Sequence, residues 1–171
     1  MENGIDFFTT TCLNWQNLLE DDQHKQIVMD SLHFLTSENR IWLYGFVLMP
    51  NHIYLLWRKQ EAWAEKNIQQ MFLKYTAQKI KFSLKDNGRL EELERYKSTQ
   101  WDRDYHFWER NAYKTSMYDR KVAEQKLDYI HDNPVKAGLC EMCVDYRYSS
   151  ARYYELNEDE WGFITHYAEH I

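Results

Sequence analysis

Two apolar runs, Ile41 to Leu48 and Ile53 to Trp57, are separated only by Met49-Pro50-Asn51-His52. Proline fixes its φ and lacks a backbone donor, so the join reads as a turn and the runs as paired strands. Such a pair must sit in a sheet with at least one buried face. Alternate strand residues share a face, so His52, Tyr54 and Leu56 point one way and Ile53, Leu55 and Trp57 the other. His52 and Tyr54 are a polar pair on a strand that packs against a core. They must be hydrogen-bonded or put to use.

The surrounding pattern extends the sheet. Phe7 to Leu13 is β-branched and aromatic and reads as a first strand. Asp21 to Thr36 has apolar residues at Ile27, Val28, Leu32 and Leu35, a helical spacing. Trp63 to Leu84 suits a long amphipathic helix closed by Asp86-Asn87-Gly88. Glu91 to Thr99 reads as a charged loop or short helix. Tyr105 to Trp108 reads as a further short strand. Met117 to His131 is helical, and Pro134 is expected to stop it, leaving Asn133 at or just past its end. The aromatic tail from Tyr146 is expected to pack back on the core. The order predicts an α+β fold. A ferredoxin-like antiparallel sheet fits best, with helices packed on one face or end and a C-terminal extension. Residues 1–171 are read as a single domain.

Composition narrows the classes. Aromatics at 16% with scarce Gly and Pro argue for a packed core rather than disorder. Charges interrupt every apolar run, so no membrane partner is expected. The first residues lack a basic and apolar leader pattern, and the three cysteines are odd in number. A reduced, cytoplasmic setting is therefore expected. Cys140 and Cys143 have half the spacing of a zinc knuckle, without a second cysteine pair; small apolar side chains beside a turn are the simpler reading. The net charge of −6 is the wrong sign for unselective nucleic-acid binding. Local basic clusters nonetheless exist: Lys74, Lys79 and Lys81 on one segment, and Arg110, Lys114 and Arg120 on the next. Each is by default a solvated face, with phosphate contact as the sharper alternative. Trp101, Tyr105 and Trp108 are candidates for stacking unpaired bases, with core packing favoured for Trp108.

A second informative stretch is Tyr129-Ile130-His131-Asp132-Asn133-Pro134-Val135-Lys136-Ala137-Gly138, where Tyr129 and Asn133 lie one helical turn apart. Set beside Gly45-Phe46-Val47-Leu48-Met49-Pro50-Asn51-His52, Phe107-Trp108-Glu109-Arg110 and Tyr146-Arg147-Tyr148-Ser149-Ser150-Ala151, it resembles the single-tyrosine HUH transposases, specifically the REP-associated tyrosine transposase branch. The four pieces occur in that family's order across nearly the whole chain.

The resemblance implies metal-dependent nicking and strand transfer on single-stranded or hairpin DNA through a 5′-phosphotyrosine. Tyr129 would be the nucleophile. His52 and Asn133 would be ligands to Mg²⁺ or Mn²⁺. A metal on the phosphate oxygens is the main lever against a charged diester, and a phenol needs that field to react near neutral pH. The chain departs from the family at Tyr54, which stands where the second histidine of the His-hydrophobic-His motif is expected. A neutral phenol is a poor ligand for a hard dication, so metal should bind weakly, with water filling the position. Tyr54 itself reads as an aromatic filling the vacated space. Two outcomes stay open: an impaired enzyme, or a non-catalytic single-strand or hairpin DNA-binding protein on the same scaffold. His131 reads as structural or as a DNA contact. The resemblance leaves monomer and homodimer equally open.

Overall fold

The computed structural model describes residues 3–110 and 112–171. Four strands, β1 (Ile5–Thr11), β2 (Ile41–Leu48), β3 (His52–Lys59) and β4 (Tyr113–Met117), form one sheet in the order β2-β3-β1-β4. Every neighbouring pair is antiparallel. Helix α1 (Asp22–Ser37) links β1 to β2, and α2 (Ile68–Asp86) with the short α3 (Leu90–Glu94) lies between β3 and β4. This is the ferredoxin-like arrangement expected from the sequence. α4 (Arg120–Lys136) and α5 (Ala151–Leu156) follow.

Side-chain oxygens start the long helices. Asp21 accepts from the Gln23 N–H at 2.8 Å, Asn67 from Gln70 at 3.0 Å, and Asp119 from Val122 at 3.1 Å. Each satisfies a donor that a helix start leaves orphaned. Gly88 and Gly138, at φ +68° and +75°, sit just past the ends of α2 and α4 in the left-handed conformation that suits a helix stop.

The alternation read in β3 holds. Ile53, Leu55 and Trp57 join a large core beneath α1 and α2 with Phe8, Leu32, Phe46, Phe72 and Ile80. Leu56 faces the other way, into a second cluster with Phe7, Val47, Leu127 and Ile130, against which Tyr54 packs. Helices therefore cover both faces of the sheet, not one: α1 and α2 lie on the first, and α4 packs over β2 and β3 on the second. The tail from Tyr146 returns to the edge strand β2. Ser149 bridges Val47, Ile164 bridges Leu43, and the Tyr154 hydroxyl donates to the Tyr44 carbonyl at 2.6 Å. This covers an edge that would otherwise expose backbone donors and acceptors.

Two boundaries differ from the sequence reading. The fourth strand is Tyr113–Met117, with Ile5 opposite Met117 and Thr9 opposite Tyr113. Tyr105 to Trp108 forms only isolated bridges, Cys12 to Trp108 and Lys97 to Tyr105. The aromatic content of that stretch reflects burial: the Trp108 indole is buried and donates to the Thr76 hydroxyl at 3.1 Å. Helix α4 also runs through Pro134 to Lys136. Proline removes one intrahelical donor, but in the last turn the loss is small, and Pro134 is itself buried. Tyr129 and Asn133 thus both sit within regular helix.

Candidate functional site

The β2–β3 turn delivers His52 and Tyr54 to the sheet face that α4 packs against. The Met49 N–H donates to the His52 carbonyl at 2.8 Å, while the Pro50 and Asn51 carbonyls accept from Leu19 and Cys12. The turn is thereby tied to the loop after β1. Across from it, α4 carries Tyr129 and Asn133. The four residues singled out by the sequence converge. The Tyr54 and Tyr129 hydroxyls lie 3.3 Å apart. The Asn133 side chain acts on both His52 and Tyr54, favouring the charged form of each against its burial. His52 Nδ1 is 2.6 Å from Asn51 Oδ1.

Aromatic rings build the cleft. Tyr54 stacks on Phe7 at 5.6 Å between centroids, and edges meet between His52 and Tyr54 at 5.0 Å and between Tyr54 and Tyr129 at 5.3 Å. Tyr54 therefore fills the space as an aromatic. Tyr129 stays 43% exposed, which leaves its hydroxyl reachable from solvent. Burial pushes the Tyr54 hydroxyl well above the ordinary phenol range, and the hydrogen bond and nearby phenol of Tyr129 add to the shift. Tyr54 is thus a neutral hydrogen-bonding group at any ordinary pH. Burial also lowers the His52 pKa, opposed by Asn133, which favours the neutral imidazole.

Two cations missed by the sequence reading stand here. Lys126 Nζ lies 4.7 Å from the Phe7 ring centre and Lys136 Nζ 5.7 Å from that of Tyr129. Their spacing was a usable signal: Lys126, Tyr129, Asn133 and Lys136 recur at three, four and three residues, one helix face.

The basic residues named from sequence lie elsewhere. Lys74, Lys81 and Arg110 line a cleft of about 1020 Å³ beside α2, shared with Arg103 and with the carboxylates of Asp102, Asp104 and Glu109. That cleft is on the face opposite Tyr129. Lys114 lies opposite Phe8 in register and so shares that far face. Lys79 turns to the Tyr75 ring at 5.6 Å. Arg120, at the start of α4, pairs with Glu124 at 3.0 Å. Trp101 is fully exposed, while Tyr105 packs against Phe107. His131 is buried, with Nε2 2.8 Å from the Ser150 hydroxyl, and burial pushes it down to about 4. It holds α4 to the start of α5 and is out of reach of DNA.

As a metal centre the donor set falls short. It offers one neutral imidazole, one amide and a phenol held neutral, with no carboxylate. Among the described residues no group of three or more His, Cys, Asp or Glu could hold a metal ion. Two of the donor atoms are already engaged: His52 Nδ1 with Asn51 Oδ1 at 2.6 Å, and the Tyr54 hydroxyl with that of Tyr129 at 3.3 Å. A hard dication needs oxygen donors, preferably charged ones, that are free to turn toward it. These residues do not fit a resident Mg²⁺ or Mn²⁺.

Comparison with known proteins agrees with this scaffold. A protein of Haemophilus influenzae assigned to the REP-associated tyrosine transposases is 31% identical over 120 residues, 67% of this chain. The chain belongs to the REP-associated tyrosine transposase family. The matched region spans 63% of that relative's length. A REP-associated tyrosine transposase solved bound to a REP hairpin superposes with a TM-score of 0.67 at 16% identity, over 96% of this chain and 87% of that one. It shares the fold. A structure from Deinococcus radiodurans assigned as a transposase aligns with a TM-score of 0.45 at 14% identity, over 77% of this chain and 92% of that one. No family model matches the chain. None of the described helices is long and apolar enough to cross a membrane.

Proposed function

We propose that the chain binds hairpin-bearing, partly single-stranded DNA at the Tyr129 face and that the strand-transfer chemistry of its family is impaired there. The observation that carries the binding reading is the cleft itself, where an exposed Tyr129 stands with Lys126 and Lys136 over a floor of aromatic rings. Lysines answer phosphates, and aromatic faces answer unpaired bases. The hairpin bound by the structural relative supports the same ligand class here. The net charge of −6 makes a local site, not the whole surface, responsible for binding.

Impairment follows from Tyr54. Its phenol occupies the position of a metal-binding imidazole and is hydrogen-bonded to Tyr129. Without a strong Lewis acid on the phosphate, attack by a phenol is slow.

Residual cleavage is a second reading, favoured by the exposure and surroundings of Tyr129. In that reaction Tyr129 Oη bonds to phosphorus as its proton passes to solvent, the bond to the 3′ oxygen breaks, and the 3′ oxygen takes up a proton from solvent. The Tyr54 hydroxyl, 3.3 Å away, donates to the developing phenolate. The test incubates the protein with a labelled hairpin carrying a single-stranded flank, with a plain duplex as control. Salt-sensitive binding of the flanked hairpin without a covalent adduct is expected. Tight duplex binding with no preference for unpaired DNA overturns the binding reading. A covalent adduct lost in Tyr129→Phe, with binding kept, establishes the second reading.

A further inference from the structure

We propose that Trp15 is the base-stacking residue of this cleft, taking one unpaired nucleobase of a single strand whose phosphates run past Lys126 and Lys136. The inference rests on the DNA-binding reading above and assigns a specific contact within it.

Trp15 lies in the short loop after β1. The residue is 63% exposed and contributes to neither core cluster. Its backbone is in the left-handed region at φ 55°, next to Asn14, also at φ 55°. Asparagine adopts that conformation readily; a bulky aromatic residue does so only when its surroundings impose it. Here they do. The Asn14 N–H donates to Glu109 Oε1 at 2.6 Å, the Glu109 N–H donates to the Thr11 carbonyl at 2.7 Å, and the Leu13 N–H donates to the Phe107 carbonyl at 2.8 Å. The Phe107-Trp108-Glu109 segment is thus a strap that fixes this loop. A loop selected only for folding has no reason to hold a large ring out in solvent on an unfavourable backbone.

The ring's position gives that strain a use. Trp15 meets the edge of His52 at 6.1 Å between centroids, and the row continues through Tyr54 to Tyr129. Trp15 therefore ends a line of aromatic rings that starts at Tyr129. An apolar peptide could also cover an indole, but the lysines at the cleft call for an anionic ligand. A nucleotide supplies both a flat apolar base and a charged phosphate.

The test measures binding of a labelled single strand, and of a hairpin without unpaired flanks, to wild type and to Trp15→Gly, Trp15→Ala and Trp15→Phe. Loss of one base stack should weaken single-strand binding about tenfold in the Gly and Ala variants, while Phe keeps most of it. The unflanked hairpin should bind all four proteins alike. An abasic nucleotide placed in turn along the strand should, at one position, remove the difference between wild type and Trp15→Ala. Melting should place Trp15→Gly above Trp15→Ala, because glycine accepts the left-handed backbone without strain. The reverse order overturns the strain argument. Unchanged single-strand binding in Trp15→Gly overturns the stacking role while leaving the DNA-binding reading intact. A wild-type protein that binds no single strand overturns both.

Discussion

Gly45 decides how closely α4, with Tyr129 on it, approaches the sheet. It lies in β2 where the register against β3 shifts between Leu43 and Gly45. A Cβ added there would overlap Leu127 Cδ1 and come within 3.3 Å of Ser150 Oγ. Neither neighbour yields easily. Leu127 is buried in the core under α4. The Ser150 hydroxyl is held between the Phe46 N–H at 3.0 Å and His131 Nε2 at 2.8 Å. Gly45→Ala must therefore force Leu127 off its rotamer or lift the helix. Overpacking of this kind costs about 1–3 kcal/mol. For a chain of this size that is a drop of about 2–12 °C in melting temperature. Leu127→Ala alone should cost about 2–5 kcal/mol by leaving a cavity. Together the two should cost less than their sum, since the new methyl enters the void, with a coupling of about 0.5–3 kcal/mol. Urea unfolding of the four proteins closes the cycle. A neutral Gly45→Ala, or losses that simply add, would refute the idea that this glycine seats α4.

Tyr54→His should increase Mn²⁺ affinity measured by calorimetry on the DNA-free protein, because an imidazole replaces a phenol held neutral; equal affinity in both proteins would remove position 54 from any metal shell. Lys126→Gln with Lys136→Gln should weaken single-strand binding and lower the slope of log K against log salt by about 1.4, at roughly 0.7 for each phosphate no longer neutralised. Lys74→Gln with Lys81→Gln, on the opposite face, should change that slope less. Acid should destabilise the fold through His131, which burial pushes down to about 4. The unfolded chain takes up that proton near pH 6.5 while the folded one does not. Stability is therefore full above about pH 6.5, falls as the pH drops, and levels off near 4 after a loss of about 3 kcal/mol. Urea melts of His131→Gln should show a shallower slope across that window, with His52 and His106, also lowered by burial, keeping some of it.

The sheet was readable because its signals were local. A proline turn between apolar runs fixed β2 and β3, and strict alternation in β3 named both faces before any packing was known. The convergence of Tyr129 and Asn133 with His52 and Tyr54 was readable through a helix spacing and a strand spacing, aided by the resemblance to the family. Properties set by distant contacts were not readable. β4, Tyr-Lys-Thr-Ser-Met, is largely polar because it is an edge strand exposed along most of its length. It carries no apolar signal, whereas the neighbouring aromatic stretch, buried for other reasons, carries a strong one. The position of the basic clusters is set by distant contacts in the same way. Lys74 and Lys81 are near one another in sequence, yet the sheet separates them from Tyr129.

Tyr54 shows where the two kinds of information meet. From sequence it was a missing ligand. In the fold it is also a partner, stacked on Phe7 and hydrogen-bonded to Tyr129. Those interactions matter for any attempt to place a second imidazole there. Tyr54→His supplies an imidazole but removes the ring that packs on Phe7 and the hydroxyl that meets Tyr129. The repair should therefore carry a stability cost, set by the missing aromatic stack at about 0.5–1.5 kcal/mol beyond the area change. A Tyr54→His protein that gains Mn²⁺ affinity and melts lower in the absence of metal fits this account. One that gains affinity with no loss of stability would mean that Tyr54 contributes little to the packing of the cleft.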